Sequence, residues 1–467
     1  MPIPNLQTKQ KESKVKQAKI ESFPKGLNEE IVKKISQIKG EAEWMTTLRV
    51  RAYNYFKDQP MPKWGPDLSE IDFQEIVYYV TAGKQQHSWE DVPSDIRQTF
   101  DELGIPEHEK KFLAGVSTQY ESEIVYHNLN ERFKNSGIVF ESIDEGLKKY
   151  PNMFKRYFGK LIPFMDNKFA ALNTACWSGG SYVYVPKGVK MEIPVETYFR
   201  INTENMGQFE RTLIIADDDS EVHYIEGCTA PQYSSDALHA AVVEVFVGKN
   251  AKVKYTTIQN WSKNVYNLVT KRANVAEGGS MSWVDVNIGS KVTMKYPSCI
   301  LRGDNAHGEM LSMALADSGQ ELDTGAKMMH LGKNTSSIID SRTVSVGTGK
   351  ATYRGISKII KQASHSKAVV SCDGLLIDEN SKSYAYPHNI VGNSTSTLEH
   401  EASVSKVAQD KLNYLLSRGI PEESAKQMIV SGFVDPIINQ LPLEYSVELE
   451  RLLQIIMNRE GKGHQKT

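Results

Sequence analysis

The chain has 467 residues, 40% hydrophobic and 24% charged, with 55 Lys and Arg against 57 Asp and Glu for a formal net charge of −2. That length allows a large core and two or three domains, and the composition is that of an ordinary globular protein. Near-neutral charge argues against nucleic acid or an anionic membrane surface as a partner, and no apolar run approaches the ~18 residues of a membrane-spanning helix.

The N-terminal stretch MPIPNLQTKQKESKVKQAKIESFPKG lacks the apolar core of a secretory signal. It is Lys-rich, has no Arg and contains Glu12 and Glu21, unlike an organelle transit peptide. It reads as a disordered tail, residues 1–25, on a cytoplasmic protein. Helical spacing follows in Ile31, Ile35 and Ile38 after Asn28, a side chain suited to an N-cap. Trp44, Leu48, Ala52, Tyr55 and Phe56 continue an apolar face until the prolines of segment 58–66 break it. Further helical pieces are expected through residue 115, for example 94–103. Together they make an N-terminal helical domain over residues 26–125.

From about residue 180 the pattern changes. Runs such as SYVYVP, TLIIA, EVHYI, AAVVEVFV, KVKYTTIQ and MSWVDVNI alternate with turn clusters. Turn signals fall near Lys187, Thr203, Asp218, Gln232, Lys249, Lys263, Gly278, Ser290, Gly303, Ser318, Lys333, Thr348, His365 and Asn380. They recur about every 15 residues, and in pairs about every 30, which is the signature of stacked coils. The competing arrangement is an antiparallel sandwich. Sandwiches turn every ~8–12 residues and rarely exceed about ten strands. The fold class expected is mostly β with α ends: a right-handed β-helix, or solenoid, over 126–400.

After residue 400, Val404, Val407, Ala408, Leu412 and Leu415 form a helical stripe closed by Gly419. Pro421 opens a second helix, and Leu449, Leu452, Leu453 and Ile456 stripe a third. This is a C-terminal helical domain, 401–467. An open β-helix end exposes unpaired edges and apolar lumen, so the helical domains are expected to cover both ends.

Enzyme motifs fail. GTGKA at 347–351 and LGKNT at 331–335 have Gly-Lys, but Val344 and Lys327 stand where a Walker A loop needs its first Gly. Ala351 and Asn334 stand where it needs Ser or Thr. Both read as turns between strands. There is no G-x-S-x-G and no H-E-x-x-H. A carbohydrate-active β-helix would need a stripe of carboxylates on an exposed face, and no regular stripe is present. The chain reads as a scaffold without its own ATPase site.

The four cysteines, Cys176, Cys228, Cys299 and Cys372, form no C-x-x-C pair. That excludes a disulfide framework, a zinc ribbon and a ferredoxin motif. Each taken alone reads as a small buried apolar residue, and Cys176 and Cys299 are left so. Cys228, in YIEGCTAP, lies 28 residues after Arg200 and 31 before Gln259, so the three can stack in neighbouring coils. Arg200 and Asn202 share one strand face, as do Gln259 and Trp261, and Lys271 lies further on. Arg200 or Lys271 beside Cys228 would favour its thiolate; the alternative is that these polar residues face water. Cys372, in VVSCDGLLI, precedes Glu399-His400-Glu401 by about one coil. Thiolate, imidazole and carboxylate together suit iron. One Cys and one His do not complete a four-ligand cluster site, so the remaining ligands would come from a partner chain or a thiol carrier. The alternative is a helix N-terminus with favourable acidic residues.

Over nearly its whole length the sequence resembles the SufB/SufD family of the SUF iron–sulfur cluster assembly system, on its SufB side. The resemblance rests on EWMTTLRVRAYNYF, GVSTQYESEIVYH, YFRINTENMGQFERTLIIAD, VHYIEGCTAP, TTIQNWSKNVYNLVTKR, DTGAKMMHLGKNTSS, EHEASVSK and GFVDPIINQLPLEYSVELERL. It implies a central β-helix between helical domains and a SufC-type ABC ATPase docked on the C-terminal helical region. It also implies pairing with SufD or with a second SufB copy. It assigns sulfur acceptance to Cys228, from the persulfide of a cysteine desulfurase and its carrier. The sulfur path falls on Arg200, Asn202, Gln259, Trp261 and Lys271. The nascent Fe–S cluster falls on Cys372, with Glu399, His400 and Glu401 as ligand candidates. The implied mechanism moves sulfur along the solenoid interior to Cys372. Dimerisation of the ATPase then exposes Cys372 and His400 to iron, and the finished cluster passes to apo-proteins. A reduced flavin in the complex stays open as an electron source. The competing role is a structural β-solenoid with no metal chemistry.

Overall fold

The computed structural model describes residues 22–80, 115–120, 122–129, 133, 135–201, 205–230 and 236–463. The protein is a β-solenoid of about seven turns with helices toward both termini. One sheet stacks eight strands in parallel and in chain order. They are Val195–Arg200, Glu221–Thr229, Lys252–Trp261, Ser280–Gly289, His307–Ala316, Ser336–Ser345, Lys367–Leu376 and Thr397–Lys406. The second sheet runs from Ser181–Val185 through Arg211–Ala216, Val242–Val247 and Val265–Val275 to Lys350–Ile359 and Lys382–Val391. Shorter paired strands lie between Val265–Val275 and Lys350–Ile359, which pairs directly with Lys382–Val391. The chain alternates between sheets, so each coil returns after about 30 residues, the period expected from the turns.

The turns explain why the repeat persists. Asp219, Asn250, Gly278, Asn305, Asn334 and His365 all have positive φ, one per coil. Their backbone N–H groups bond up the stack: Asp219 to Lys249 O, Asn250 to Glu277 O, Gly278 to Asp304 O, Asn305 to Lys333 O and Asn334 to Ser364 O. Asn, Asp and Gly tolerate the left-handed region best. The Gly-Lys motifs fall in the turns at 332–334 and 347–349. Two of the expected turn positions, Thr203 and Gln232, and the expected helix 94–103 lie outside the described residues.

In-register parallel stacking puts equivalent side chains over one another. Tyr224, Tyr255 and Trp283 stack in the lumen with ring centroids 4.8 and 5.1 Å apart. Their neighbours two residues along are buried too, but many are polar. That row forms the candidate site.

The first helices match the sequence reading. Glu29–Lys39 is capped by Asn28, whose side chain accepts from the Ile31 N–H at 2.9 Å, and Glu43–Asp58 stops before Pro60. Three helices went unread: Ile143–Lys149, Pro151–Tyr157 and Lys168–Cys176. Two are only seven residues long, too short for a periodic stripe, and the third is buried on every side. Solenoid strands also reach past the expected 126–400 span, with Gly115–Tyr120 before it and Thr397–Lys406 across its end. Val404, counted into a helical stripe, is therefore in a strand; the first C-terminal helix is Gln409–Ser417.

Among the described residues the helices lie on the sheet faces rather than over the solenoid ends, where they were expected. The C-terminal pair, Glu422–Ile438 and Leu443–Gly463, folds back over the outer face of the first sheet. Val430, Val434, Leu449 and Leu453 pack there on Ile225, Val286, Met313 and Val344. Tyr445 donates to Glu196, and Arg342 donates to the Phe433 carbonyl. At the starting end, Leu129, Phe133 and Phe140 from the antiparallel strand region join the lumen core. The last coil, Lys382–Val391 with Thr397–Lys406, stays largely exposed; Tyr386 and Val404 are each 50% accessible. A broad apolar sheet face offers helices more contact area than the narrow end of a coil, which accounts for the difference.

Candidate functional site

Cys228 lies in Glu221–Thr229, register-paired with Phe199 on one side and Gln259 on the other. Its side chain faces the lumen and is 1% exposed. Strand alternation puts Glu226 on the same face, and the Cys228 thiol donates to Glu226 Oε1 at 3.9 Å. From the opposite sheet Lys271 reaches across: its Nζ is 3.0 Å from Glu226 Oε1 and 2.7 Å from Thr257 Oγ1. Tyr255 donates to the other Glu226 oxygen. Gln259 donates from Nε2 to Cys228 Sγ at 4.0 Å. Its Oε1 accepts from Lys295 at 2.9 Å and Asn267 at 2.8 Å. Lys295 pairs with Asp285 at 2.6 Å. Trp261 continues the face, its ring 4.7 Å from His239, which contacts Asn267 and Glu210. The Trp261 indole N–H has no hydrogen-bond partner among the described residues.

Gln259, Trp261 and Lys271 thus converge on Cys228. Arg200 does not. It pairs with Thr229, one residue past Cys228, and its Nη1 donates to Thr229 Oγ1 at 3.0 Å on the outer face. A one-residue slip in register reverses the face. Asn202 lies outside the described residues. The expected thiolate is also corrected. Burial pushes the Cys228 thiol well above its usual range, and Glu226 and Glu210 push it further. Lys271 and Lys295 oppose this and lose. Lys271 is already committed to Glu226, whose carboxyl ends below its usual range: burial raises it, but Lys271, Tyr255 and Lys295 outweigh that.

Cys372 occupies Lys367–Leu376 at the far end, and its Sγ is 3.2 Å from His400 Nε2. The pairing is diagonal: Cys372 is in register with Ala402, and His400 with Val370. His400 therefore shares the face of Cys372. Glu399 and Glu401 alternate to the other face and are exposed. Glu399 pairs there with Lys367 at 3.3 Å, while only the Glu401 carbonyl approaches Cys372, at 3.7 Å. Neither carboxylate reaches the thiol. Among the described residues no three His, Cys, Asp or Glu side chains converge into a metal site. Burial, then Asp373, pushes the Cys372 thiol up to about 11.

Register links the two thiol sites. Reading across six strands, Glu226 pairs with Thr257, Thr257 with Asp285, Asp285 with Ser312, Ser312 with Ser341 and Ser341 with Cys372. Ser312 donates to Ser341 at 2.9 Å. At about 4.8 Å per strand the row spans about 24 Å. Every member is polar or a thiol, and all are buried.

The comparisons with known proteins bear on the whole length. The family model described as "SUF system FeS cluster assembly, SufBD core domain" matches residues 199–433, and the one described as "SufBD protein N-terminal region" matches residues 33–197. The chain belongs to the SufB/SufD family. It is 54% identical over 434 residues, 93% of each chain, to the iron–sulfur cluster assembly protein SufB of Bacillus subtilis strain 168. It has the same identity and coverage with iron–sulfur cluster assembly SufBD family proteins of Staphylococcus aureus strains MRSA252 and USA300.

In this SufB/SufD-family chain, sequence reasoning missed Glu226, Asp285, Lys295, His239, Ser312 and Ser341. Glu226 was within reach, two residues before Cys228 on a strand. The others needed the register. Cys176 and Cys299 are fully buried, and burial raises both thiols. Among the described residues no helix is long and apolar enough to cross a membrane.

Proposed function

We propose that this SufB/SufD-family chain is the scaffold on which a nascent iron–sulfur cluster is built, its own part being sulfur acceptance and partial ligation. Cys228 takes sulfur from a carrier persulfide. On losing its proton Cys228 attacks the terminal sulfur, a new S–S bond forms, and the carrier thiolate leaves and takes up that proton. Two electrons and a proton, from a reductant of the complex, then release hydrosulfide and restore the Cys228 thiol. A reduced flavin is one candidate for that reductant. The polar row from Glu226 to Cys372 carries the small anion by hydroxyl and ammonium contacts. Cys372 and His400 hold iron and sulfide as cargo, and a second scaffold, SufD or another copy, supplies the missing ligands across the exposed last coil. A SufC-type ATPase on the C-terminal helices supplies the motion that opens this edge, and the finished cluster passes to apo-proteins. The chain itself hydrolyses no ATP.

The observation that carries this reading is the 3.2 Å approach of Cys372 Sγ to His400 Nε2 where the polar row meets the exposed last coil. Anaerobic reconstitution with iron and sulfide tests it. Cys372→Ala should abolish the cluster's visible absorption while the ATPase partner still co-purifies. A normal cluster in that variant would sink the assignment.

A further inference from the structure

A second site lies outside the lumen. Thr270 and Arg272 flank Lys271 in sequence and point to the outer face of the second sheet. There, roofed by the segment 59–64, they help line a cavity of about 310 Å³. That is at the small end of ligand pockets, roughly 300–1,000 Å³. Its walls are apolar and aromatic, including Leu268, Met294 and the tilted pair Trp64 and Tyr296, with ring centroids 5.7 Å apart.

The cavity carries more positive charge than its walls neutralise. Arg272 pairs with Asp166 at 2.7 Å. Lys168 is held by the carbonyls of Phe56 and Gln59, which offer dipoles and no charge. Lys327 makes no hydrogen bond or ion pair among the described residues; its Nζ sits over the Tyr296 ring, 5.4 Å from the centroid. Three cations therefore face one carboxylate. Burial lowers the pKa of both Lys168 and Lys327; at Lys327 Arg272 adds to the effect, and Asp166, already paired with Arg272, opposes it without reversing it. A half-buried ammonium without a counter-ion is costly unless something anionic joins it.

We infer that this cavity binds a small anion bearing a flat ring, its charged group on Lys327 and its ring along the Trp64–Tyr296 wall. Nucleoside monophosphates and aromatic carboxylates share that chemistry. The site is separated from Cys228 by the sheet itself, so it stands apart from the sulfur-transfer reading.

Calorimetric titration of the full-length chain with adenosine monophosphate, 4-hydroxybenzoate and uncharged adenosine tests it, the first two distinguishing a phosphate from a carboxylate ligand. At least one anion should bind once per chain, with adenosine about tenfold weaker or worse. Lys327→Gln should lose about tenfold, the worth of one charge-assisted hydrogen bond, and Lys327→Arg should keep most of the affinity. In the unsubstituted chain the bound anion should also slow reductive methylation of Lys327, read by peptide mass spectrometry, which needs no folded variant. The site is overturned if neither anion binds at millimolar concentration, if adenosine binds as tightly, or if binding leaves Lys327 unprotected and survives Lys327→Gln.

Discussion

Glu226 stands between Cys228 and Lys271: its Oε1 accepts from the thiol at 3.9 Å and from the ammonium at 3.0 Å. Burial keeps the sulfur protonated, and the carboxylate adds to that while keeping the lysine occupied. Removing its charge should free Lys271 to act on the sulfur. Glu226→Gln is expected to lower the Cys228 pKa and to speed iodoacetamide labelling at pH 8. The variant should also be less stable, by roughly 3–5 kcal/mol, because Lys271 is left buried without its partner. Labelling no faster than in the native chain, measured on folded protein, would remove Glu226 from this role.

Ser341 sits between Ser312 and Cys372 in the polar row, accepting from Ser312 at 2.9 Å. If the row carries sulfur, Ser341→Val should leave radiolabelled sulfur loading at Cys228 at its native level. Cluster formation at Cys372 should slow several-fold. Equal rates at both cysteines would show that sulfur travels by another route.

His330 is fully buried, with Nδ1 2.8 Å from Thr335 Oγ1 and Nε2 2.9 Å from Ser337 Oγ. Burial, with His307 adding, holds its pKa down at about 4. Unfolded it would be near 6.5, so the folded state favours the neutral ring. Its contribution is complete above pH 6.5 and is lost as pH falls from 6.5 toward 4, about 2 kcal/mol by pH 5. Urea midpoints at pH 7.5 and pH 5 should therefore separate less in His330→Asn than in the native chain.

Asn334 has φ of 53° and donates its N–H to Ser364 O at 2.9 Å in the turn ladder. Asn334→Val should cost about 1–2 kcal/mol, since a β-branched residue is strained there. Asn334→Gly should be close to neutral. Equal thermal midpoints for the two variants would mean that the left-handed turn is not what holds the coil spacing.

The sequence by itself determined the repeat. Turn residues must recur wherever a coil reverses, and Asn, Asp and Gly at those points are set by local backbone sterics. It also determined the first helix with its Asn28 cap and the thiols worth attention, through the family resemblance. The tertiary structure decided what local pattern leaves open. Whether position 200 or position 199 faces Cys228 depends on a one-residue register, and only the stacked sheet selects Phe199. The same register turns Glu399 and Glu401 away from Cys372 and turns His400 toward it. It lines up Glu226, Asp285, Ser312, Ser341 and Cys372, residues far apart in sequence. Where the described helices go was likewise a matter of area, with the sheet face chosen over the coil end. The thiol at Cys228 was expected as a thiolate because a lysine lies nearby. In the folded lumen that lysine answers first to Glu226, and burial decides the rest.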